Sequence, residues 1–147
     1  MKLAYIHAEG STSHYSPAAL HPTGGLPGNW ALDFLAPGGT RVVAPQAGIV
    51  HRLSGHNPID GMMAGAVFGW SVYLDCADGF WFLTHFGSRV CHVGQHVVPG
   101  TLLGLVGHWP HDEGRSHTHA GFTSHTGKKA SVARVEEMGK SARMKPV

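Results

Sequence analysis

The chain has 147 residues, 13 histidines and a formal net charge of +2. A single domain of this length buries about 68–70% of the surface of its unfolded chain, so folding does not require disulfide bonds. No apolar run approaches the roughly 18–20 residues that span a bilayer, and Leu3–Ile6 is too short for the apolar core of a signal peptide. The composition therefore argues against membrane insertion.

Short apolar runs alternate with turn-forming residues along most of the chain, and 21 glycines and nine prolines separate them. Runs of about five residues match the usual length of a β-strand, and their regular punctuation is typical of an all-β domain. We expect a mainly antiparallel sheet with long loops. Cys76 and Cys91 lie in apolar, strand-like surroundings, which favours buried free thiols. The predicted strands are Arg41–Ala44, Gly48–Val50, Trp70–Leu74, Phe80–His85 and Leu102–Gly107.

Two connections carry specific expectations. Asp78-Gly79 lies between two predicted strands, and these residues tolerate the positive φ of a type I′ turn, so we expect a hairpin that pairs Trp70–Cys76 with Phe80–His85. The stretch from Ser54 to Gly69 has no apolar period and is predicted to be a long loop, which in compact domains is often functional.

The ends of the chain differ from its middle. From Lys128 onward there are six basic and two acidic residues, and we expect a short solvated helix over Val132–Met138. We therefore divide the chain into a lead-in segment (1–20), a main domain (21–127) and a basic tail (128–147). Basic residues cluster in the tail without a base-stacking motif, which argues against a nucleic-acid partner.

The sequence His117-Thr118-His119 is the strongest chemical signal. On a β-strand, side chains two positions apart point to the same face, so both imidazoles enter one space while Thr118 points away. Two histidines and one carboxylate form a catalytic zinc set, which leaves a fourth position for water and lowers the pKa of that water from about 15.7 to about 7. For His119 alone, the alternative is a hydrogen-bonded histidine within the sheet.

Asp33 is the candidate carboxylate. It lies between Leu32 and Phe34, and burying an unpaired carboxylate there would cost several kcal/mol. A bound cation removes that cost. The alternative is an exposed carboxylate at the edge of a strand.

Four stretches, taken in order, resemble the M23 family of zinc metallopeptidases, the lysostaphin and LytM type. The match extends over about residues 21–122, and the surroundings of Asp33 also look like that family's Asp-centred strand and turn. The stretches are His21 with Asp33, Thr84-His85-Phe86-Gly87, Gly94–Gly107 and His117-Thr118-His119.

The resemblance implies a fold, a site and an activity. It implies that His21, Asp33 and His119 bind one Zn²⁺, and that His85 and His117 serve catalysis. Members of the family cut stem peptides or cross-bridges of bacterial peptidoglycan in a groove on an antiparallel sheet. Peptidoglycan is therefore the expected partner.

The chain departs from the family at one ligand. Most members place the first zinc histidine four residues before the aspartate, where this chain has Asn29, a poor zinc ligand. The nearest upstream candidate is His21, twelve residues before Asp33, and a minority branch resembling the LasA type uses a similarly long spacing. The alternative is an incomplete site that binds metal weakly or not at all.

The expected roles of His85 and His117 follow from the chemistry of amide hydrolysis. One histidine within about 3 Å can donate a hydrogen bond to the negative oxygen of the tetrahedral intermediate, and the other can accept a proton from water. The sequence does not assign these two roles. Alternation places His85 on the same face as Trp81 and Leu83, so a packed core histidine is the alternative. No HExxH helix is present, which separates the chain from thermolysin-like enzymes.

The other histidines have no partner carboxylate at a telling spacing, and we expect them to be surface or loop residues. His108 and His111 flank Trp109-Pro110 and are candidates for the rim of the groove. For Trp70, Tyr73 and Trp81, packing is the default expectation and a substrate wall is the alternative. The histidines are His7, His14, His51, His56, His92, His96, His108, His111 and His125.

We therefore predict a zinc-dependent endopeptidase that hydrolyses peptidoglycan. One alternative is a non-catalytic wall-binding or regulatory module on the same fold, for which Asn29 is the argument. Another is a structural component of a phage tail. Because the chain shows no signal peptide, we expect synthesis in the cytoplasm and action at the bacterial cell wall, in the manner of a phage lysin or of an excised domain.

Overall fold

Ten β-strands, one α-helix and one short 3₁₀-helix (Glu113–Arg115) make up the regular structure in the described part of the computed structural model, which comprises residues 3–11, 13–14, 20–55, 69–109 and 112–141. The predicted loop from Ser54 to Gly69 falls mostly on residues 56–68, outside that part; Ser54 itself belongs to a strand. The strands are β1 (Ser13–His14), β2 (His21–Pro22), β3 (Trp30–Leu35), β4 (Arg41–Val43), β5 (Gly48–Gly55), β6 (Trp70–Cys76), β7 (Gly79–Arg89), β8 (His96–Val97), β9 (Leu102–Val106) and β10 (His117–Ser124), and the helix is α1 (Lys128–Ser141).

The strands make one sheet in the order β1-β3-β10-β7-β6-β5-β8, with β2 added to β3 and the β4–β9 pair joined to β7. Each pairing is antiparallel. The predicted all-β, mainly antiparallel class is therefore confirmed. The strand β10 lies between β3 and β7, so its His-x-His sequence stands near the centre of the sheet.

Alternation along the central strands separates a core face from a polar face. Leu32 and Phe34 of β3, and Ala120 and Phe122 of β10, have at most 1% of their surface exposed. The residues between them, which include Asp33, point to the other face because successive side chains of a strand alternate. Burial of one face thus fixes which residues are available to form a site on the other.

The helix α1 covers the core face of the sheet. It is longer than the predicted Val132–Met138, and Val135 and Met138 are fully buried in the same core as Ile6 near the start of the chain. Arg134 makes an ion pair with Asp78, at the turn between β6 and β7. One side of the helix is therefore packed, whereas we expected a solvated helix.

The hairpin of β6 and β7 forms as predicted, but its turn is different. Cys76 pairs with Gly79, so the two connecting residues are Ala77 and Asp78, and neither has a positive φ. The type I′ prediction is therefore wrong. Gly79 is required for another reason: a Cβ on it would lie 2.1 Å from the carbonyl oxygen of Thr123.

His7 also differs from our expectation, because it is fully buried and is not a surface residue. Its Nδ1 lies 2.9 Å from Ser11 Oγ and its Nε2 lies 2.8 Å from Thr118 Oγ1, on the face of β10 that turns away from His117 and His119. Burial lowers the pKa of His7 to about 4. The imidazole is therefore neutral in the folded protein at neutral pH.

Two expectations from composition can be compared with the structure. Cys76 and Cys91 are buried free thiols, as predicted. Within the described ranges, no helix has the length and apolarity needed to cross a membrane.

The pKa of His7 predicts a pH dependence of stability. Because the folded-state pKa lies below the unfolded value of 6.5, the stabilisation is complete above pH 6.5 and decreases as the pH falls towards 4. The loss amounts to about 3 kcal/mol of unfolding free energy at acidic pH. Urea unfolding between pH 7 and pH 4 should show this loss in the wild type and a smaller one in His7→Gln. An equal pH dependence in both proteins would contradict the assignment.

Candidate functional site

Three neighbouring strands bring His21, Asp33 and His119 together on the polar face of the sheet. His119 of β10 is the register partner of Asp33 in β3, and His21 of β2 is the partner of Ala31, two residues before Asp33. The Nδ1 of His119 lies 3.1 Å from Asp33 Oδ1. The Nε2 of His21 lies 3.4 Å from His119 Nδ1 and 3.8 Å from Asp33 Oδ1.

A hairpin between β2 and β3 accounts for the long sequence spacing between His21 and Asp33. The backbone N–H of Thr23 donates to the carbonyl of Asn29 at 3.0 Å, and within this loop the N–H of Leu26 donates to the carbonyl of Thr23 at 3.2 Å. The intervening residues thus close on themselves, and β2 pairs directly with β3. His21 therefore reaches the carboxylate from β2, and no histidine is needed at position 29.

The donor atoms of these three residues fit a tetrahedral cation. Two imidazole nitrogens and one carboxylate oxygen lie within 4.8 Å of one another. Ligand atoms on one tetrahedral zinc, each at about 2.0–2.1 Å from the metal, are roughly 3.3–3.4 Å apart. The three separations in the cluster, 3.1, 3.4 and 3.8 Å, bracket this value. The imidazole of His21 is 39% exposed, so the cluster opens towards solvent on that side.

The carboxylate of Asp33 is an anion in this environment. Burial alone would raise its pKa, but the hydrogen bond from His119 and the nearby histidines His117 and His21 lower the pKa overall. A buried anion surrounded by imidazoles is the electrostatic setting in which a divalent cation is stabilised.

His85 reaches the same face through a break in the strand pattern. In the pairing of β6 with β7, Ser71 stands opposite two residues, Thr84 and His85, which is a β-bulge. His85 has a φ of 75°, and it is the only residue other than glycine with a positive φ in the part of the chain that the structure describes. Alternation predicts His85 beside Leu83 on the core face, but the bulge turns its side chain into the groove.

A bulge with a non-glycine residue in the left-handed region carries a conformational cost. Such residues cost about 1–3 kcal/mol and are found mainly at functional sites. Gly69 accommodates the bulge closely, since a Cβ on Gly69 would lie 3.0 Å from the Cα of His85. The sequence gives no signal for this change of face.

His117 is oriented by its own backbone surroundings. Its Nδ1 donates to the carbonyl of Arg115 at 2.7 Å, which leaves Nε2 3.8 Å from Asp33 Oδ1. Burial lowers the pKa of His117, although Asp33 opposes this effect. His117 is therefore held with a basic ring nitrogen towards the cluster.

Trp109 packs against both of the histidines that flank the cluster. Its ring centroid lies 5.5 Å from that of His85 and 4.9 Å from that of His117, and the two histidine rings are 4.7 Å apart. We expected its neighbours His108 and His111 at the rim of the groove. His108 is exposed, forms an ion pair with Glu113 and does not line the groove, and His111 lies outside the described residues.

The five histidine and aspartate side chains line one open groove of about 600 Å³. The loop after His21 forms one wall, Trp109 and Arg115 form the other, and β7, β6 and β5 supply the floor. Tyr73 lies on the floor, whereas Trp81 is buried in the core. The residues of the floor are Arg52, Ser71, Tyr73, Phe82 and Thr84.

The remaining histidines mostly behave as predicted. Five of them are exposed, and the side chains of three others lie outside the described part of the structure. The exposed residues are His51, His92, His96, His108 and His125, and those outside it are His14, His56 and His111.

Comparison with known proteins identifies the fold. No family model and no curated protein matches the sequence. Among solved structures, a Pseudomonas aeruginosa protein assigned to peptidase M23 superimposes with a TM-score of 0.55 at 23% identity, over 83% of this chain and 45% of that one. The antimicrobial peptidase lysostaphin of Staphylococcus simulans gives 0.56 at 17% identity, over 80% and 49%.

A third structure matches over most of its own length. It is a mutant of the catalytic domain of the prophage-encoded M23 protein EnpA of Enterococcus faecalis, with a TM-score of 0.55 at 19% identity, over 77% of this chain and 81% of that one. The chain thus spans less than half of the P. aeruginosa and lysostaphin structures. It has the M23, lysostaphin/LytM-type fold, as the motifs predicted.

Proposed function

We propose that the protein is a zinc-dependent endopeptidase that hydrolyses peptide bonds in the stem peptides or cross-bridges of bacterial peptidoglycan. The observation that carries the proposal is the convergence of His21, Asp33 and His119 beside a second pair, His85 and His117, in one open groove. The M23-type fold supports the reaction class, and the motif resemblance supports the substrate. The protein would then act at the bacterial cell wall.

We assign a role to each of these five residues from its position in the groove. His21, Asp33 and His119 hold zinc, which supplies a Lewis acid for the scissile carbonyl and makes water more acidic. His117 presents a neutral Nε2 towards the cluster and is suited to accept or return a proton at that atom. We assign to His85, whose side chain lines the groove, the hydrogen bond to the oxygen that becomes negative.

The groove suits an extended peptide. Its floor crosses three strands, and the rings of Tyr73 and Phe82 lie 4.9 Å apart there. Aromatic rings supply apolar contact to a chain that has few apolar side chains of its own. A substrate bound along this floor would pass His119 and Thr84, which are register partners on β10 and β7.

Asn29 stands where most M23 enzymes have a zinc histidine, and on its own it would favour a non-catalytic module. His21 offers the missing nitrogen at 3.8 Å from Asp33 Oδ1, so a full set of three donors is available. This favours the enzyme over the binding module.

Metal binding tests the three proposed ligands. Wild-type protein should bind one zinc per chain, and His119→Ala and Asp33→Ala should abolish stoichiometric binding because each removes one of three ligands. His21→Ala should do the same, as measured by metal analysis after dialysis. If His21→Ala kept both zinc and activity, another residue would have to be the third ligand.

Substitution of the two flanking histidines should distinguish their role in catalysis from the role of the ligands in metal binding. His85→Ala and His117→Ala should retain one zinc per chain, while kcat falls by about 10²–10⁴-fold, the range for a lost general acid, base or hydrogen-bond donor. His125→Ala, an exposed histidine outside the groove, is the matched control and should change neither quantity. Loss of zinc in His85→Ala or His117→Ala would show that the ligand assignment is wrong.

The activity itself is tested on purified peptidoglycan. New amino groups should appear with the zinc-loaded protein, disappear with a chelator and return with added zinc, and the new amino-terminal residue would identify the bond. His119→Ala should release none. If folded, zinc-loaded wild type released no amino groups from several wall types, the non-catalytic module would become the better account.

A further inference from the structure

A chain of hydrogen bonds extends from His119 away from the metal cluster. The Nε2 of His119 lies 2.8 Å from Thr23 Oγ1, and this hydroxyl donates to Asn29 Oδ1 at 2.6 Å. The amide nitrogen of Asn29 donates to Thr123 Oγ1 at 3.1 Å. Asn29 is fully buried, so its amide has these partners in place of water.

The direction of these bonds fixes the proton on His119. A hydroxyl has one proton, and that of Thr23 is given to Asn29, so Thr23 can only accept from His119. His119 must therefore carry a proton on Nε2. The ring nitrogen that remains for a metal is Nδ1, which lies 3.1 Å from Asp33 Oδ1 and 3.4 Å from His21 Nε2, and a bound cation would take the place of the hydrogen bond between Nδ1 and Asp33.

A gap in the side chains of β10 makes room for this arrangement. His119, Gly121 and Thr123 alternate along one face of the strand, and Gly121 leaves the middle position empty. A Cβ on Gly121 would lie 2.0 Å from Asn29 Oδ1. The amide of Asn29 therefore occupies the space that any other residue at 121 would fill.

The backbone of the loop between β2 and β3 also joins Thr23 to Asn29. The N–H of Thr23 donates to the carbonyl of Asn29 at 3.0 Å, so the same pair is joined through both main chain and side chains. This closure also sets the position of His21, which precedes Thr23 by two residues. One loop thus delivers one cluster residue and orients another.

We propose that Thr23 and Asn29 are positioning residues that hold His119 in the Nε2–H tautomer, with Nδ1 directed at the metal. The inference rests on the proposed zinc site. It assigns a role to Asn29, which stands four residues before Asp33 and supports a ligand from there without contacting the metal. Removal of such supporting partners typically weakens metal binding by 10–100-fold.

The test compares two substitutions at one position. Thr23→Val keeps the shape and removes the hydroxyl, whereas Thr23→Ser keeps the hydroxyl. Zinc affinity, measured by competition with a chelator, should fall by about 10–100-fold in Thr23→Val and stay within about threefold of wild type in Thr23→Ser. Wild-type affinity in Thr23→Val would overturn the proposal.

The matched control is Thr84→Val. Its hydroxyl is also buried in the groove floor, where it lies 2.6 Å from Ser71 Oγ and 3.4 Å from the carbonyl oxygen of Trp70. It should leave zinc affinity unchanged. An equal loss of affinity in Thr84→Val would mean that any lost hydroxyl in the groove has the same effect, and would overturn the specific role of Thr23.

Two further measurements keep the test decisive if Thr23→Val does not fold. Gly121→Ala displaces the Asn29 amide without changing Thr23 or a ligand, and should also weaken zinc binding. The ¹⁵N spectrum of the imidazoles in zinc-loaded wild type should show His119 with its proton on Nε2 and with Nδ1 bound to the metal, whereas a proton on Nδ1 would contradict the proposal. If wild type bound no zinc, the proposed function would fail. If wild type bound zinc and both Thr23→Val and Gly121→Ala bound it equally well, only the proposed role of Thr23 and Asn29 would fail.

Discussion

The carboxylate of Asp33 lies on the middle one of three strands, with a histidine from each neighbouring strand directed at it. A carboxylate between Leu32 and Phe34 can be accommodated only because it points away from the core and towards those imidazoles. The pairing of β3 with β2 and with β10 therefore sets the geometry of the cluster. The buried core face, covered by α1, fixes that pairing because a shift of one residue would reverse every side chain.

The groove combines a regular sheet with one local irregularity. Regular pairing places Asp33 and His119 opposite each other, and the same regularity would have put His85 in the core. The bulge opposite Ser71 changes the face of His85 alone and brings its ring to 4.7 Å from that of His117. The strained backbone at this position is thus the feature that assembles the second pair of histidines beside the first cluster.

Much of this arrangement follows from short-range patterns in the sequence. Alternation predicted the common face of His117 and His119 and the opposite orientation of Thr118, whose hydroxyl contacts His7 behind the sheet. The order of motifs predicted the fold even though no sequence family matches. The bulge at His85, the burial of His7 and the Thr23–Asn29 contact depend on partners distant in the chain, and the periodicity of a single strand does not contain them.

The position of a bound zinc ion would test most directly whether His21, Asp33 and His119 are the ligands. A crystal of the zinc-loaded protein, measured on both sides of the zinc absorption edge, should show one anomalous peak at about 2.0–2.2 Å from His21 Nε2, Asp33 Oδ1 and His119 Nδ1. His85 and His117 should lie beside the ion without direct bonds to it. A zinc ion bound by His85 or His117, or one that leaves His21 unbound, would contradict the assignment of the three ligands.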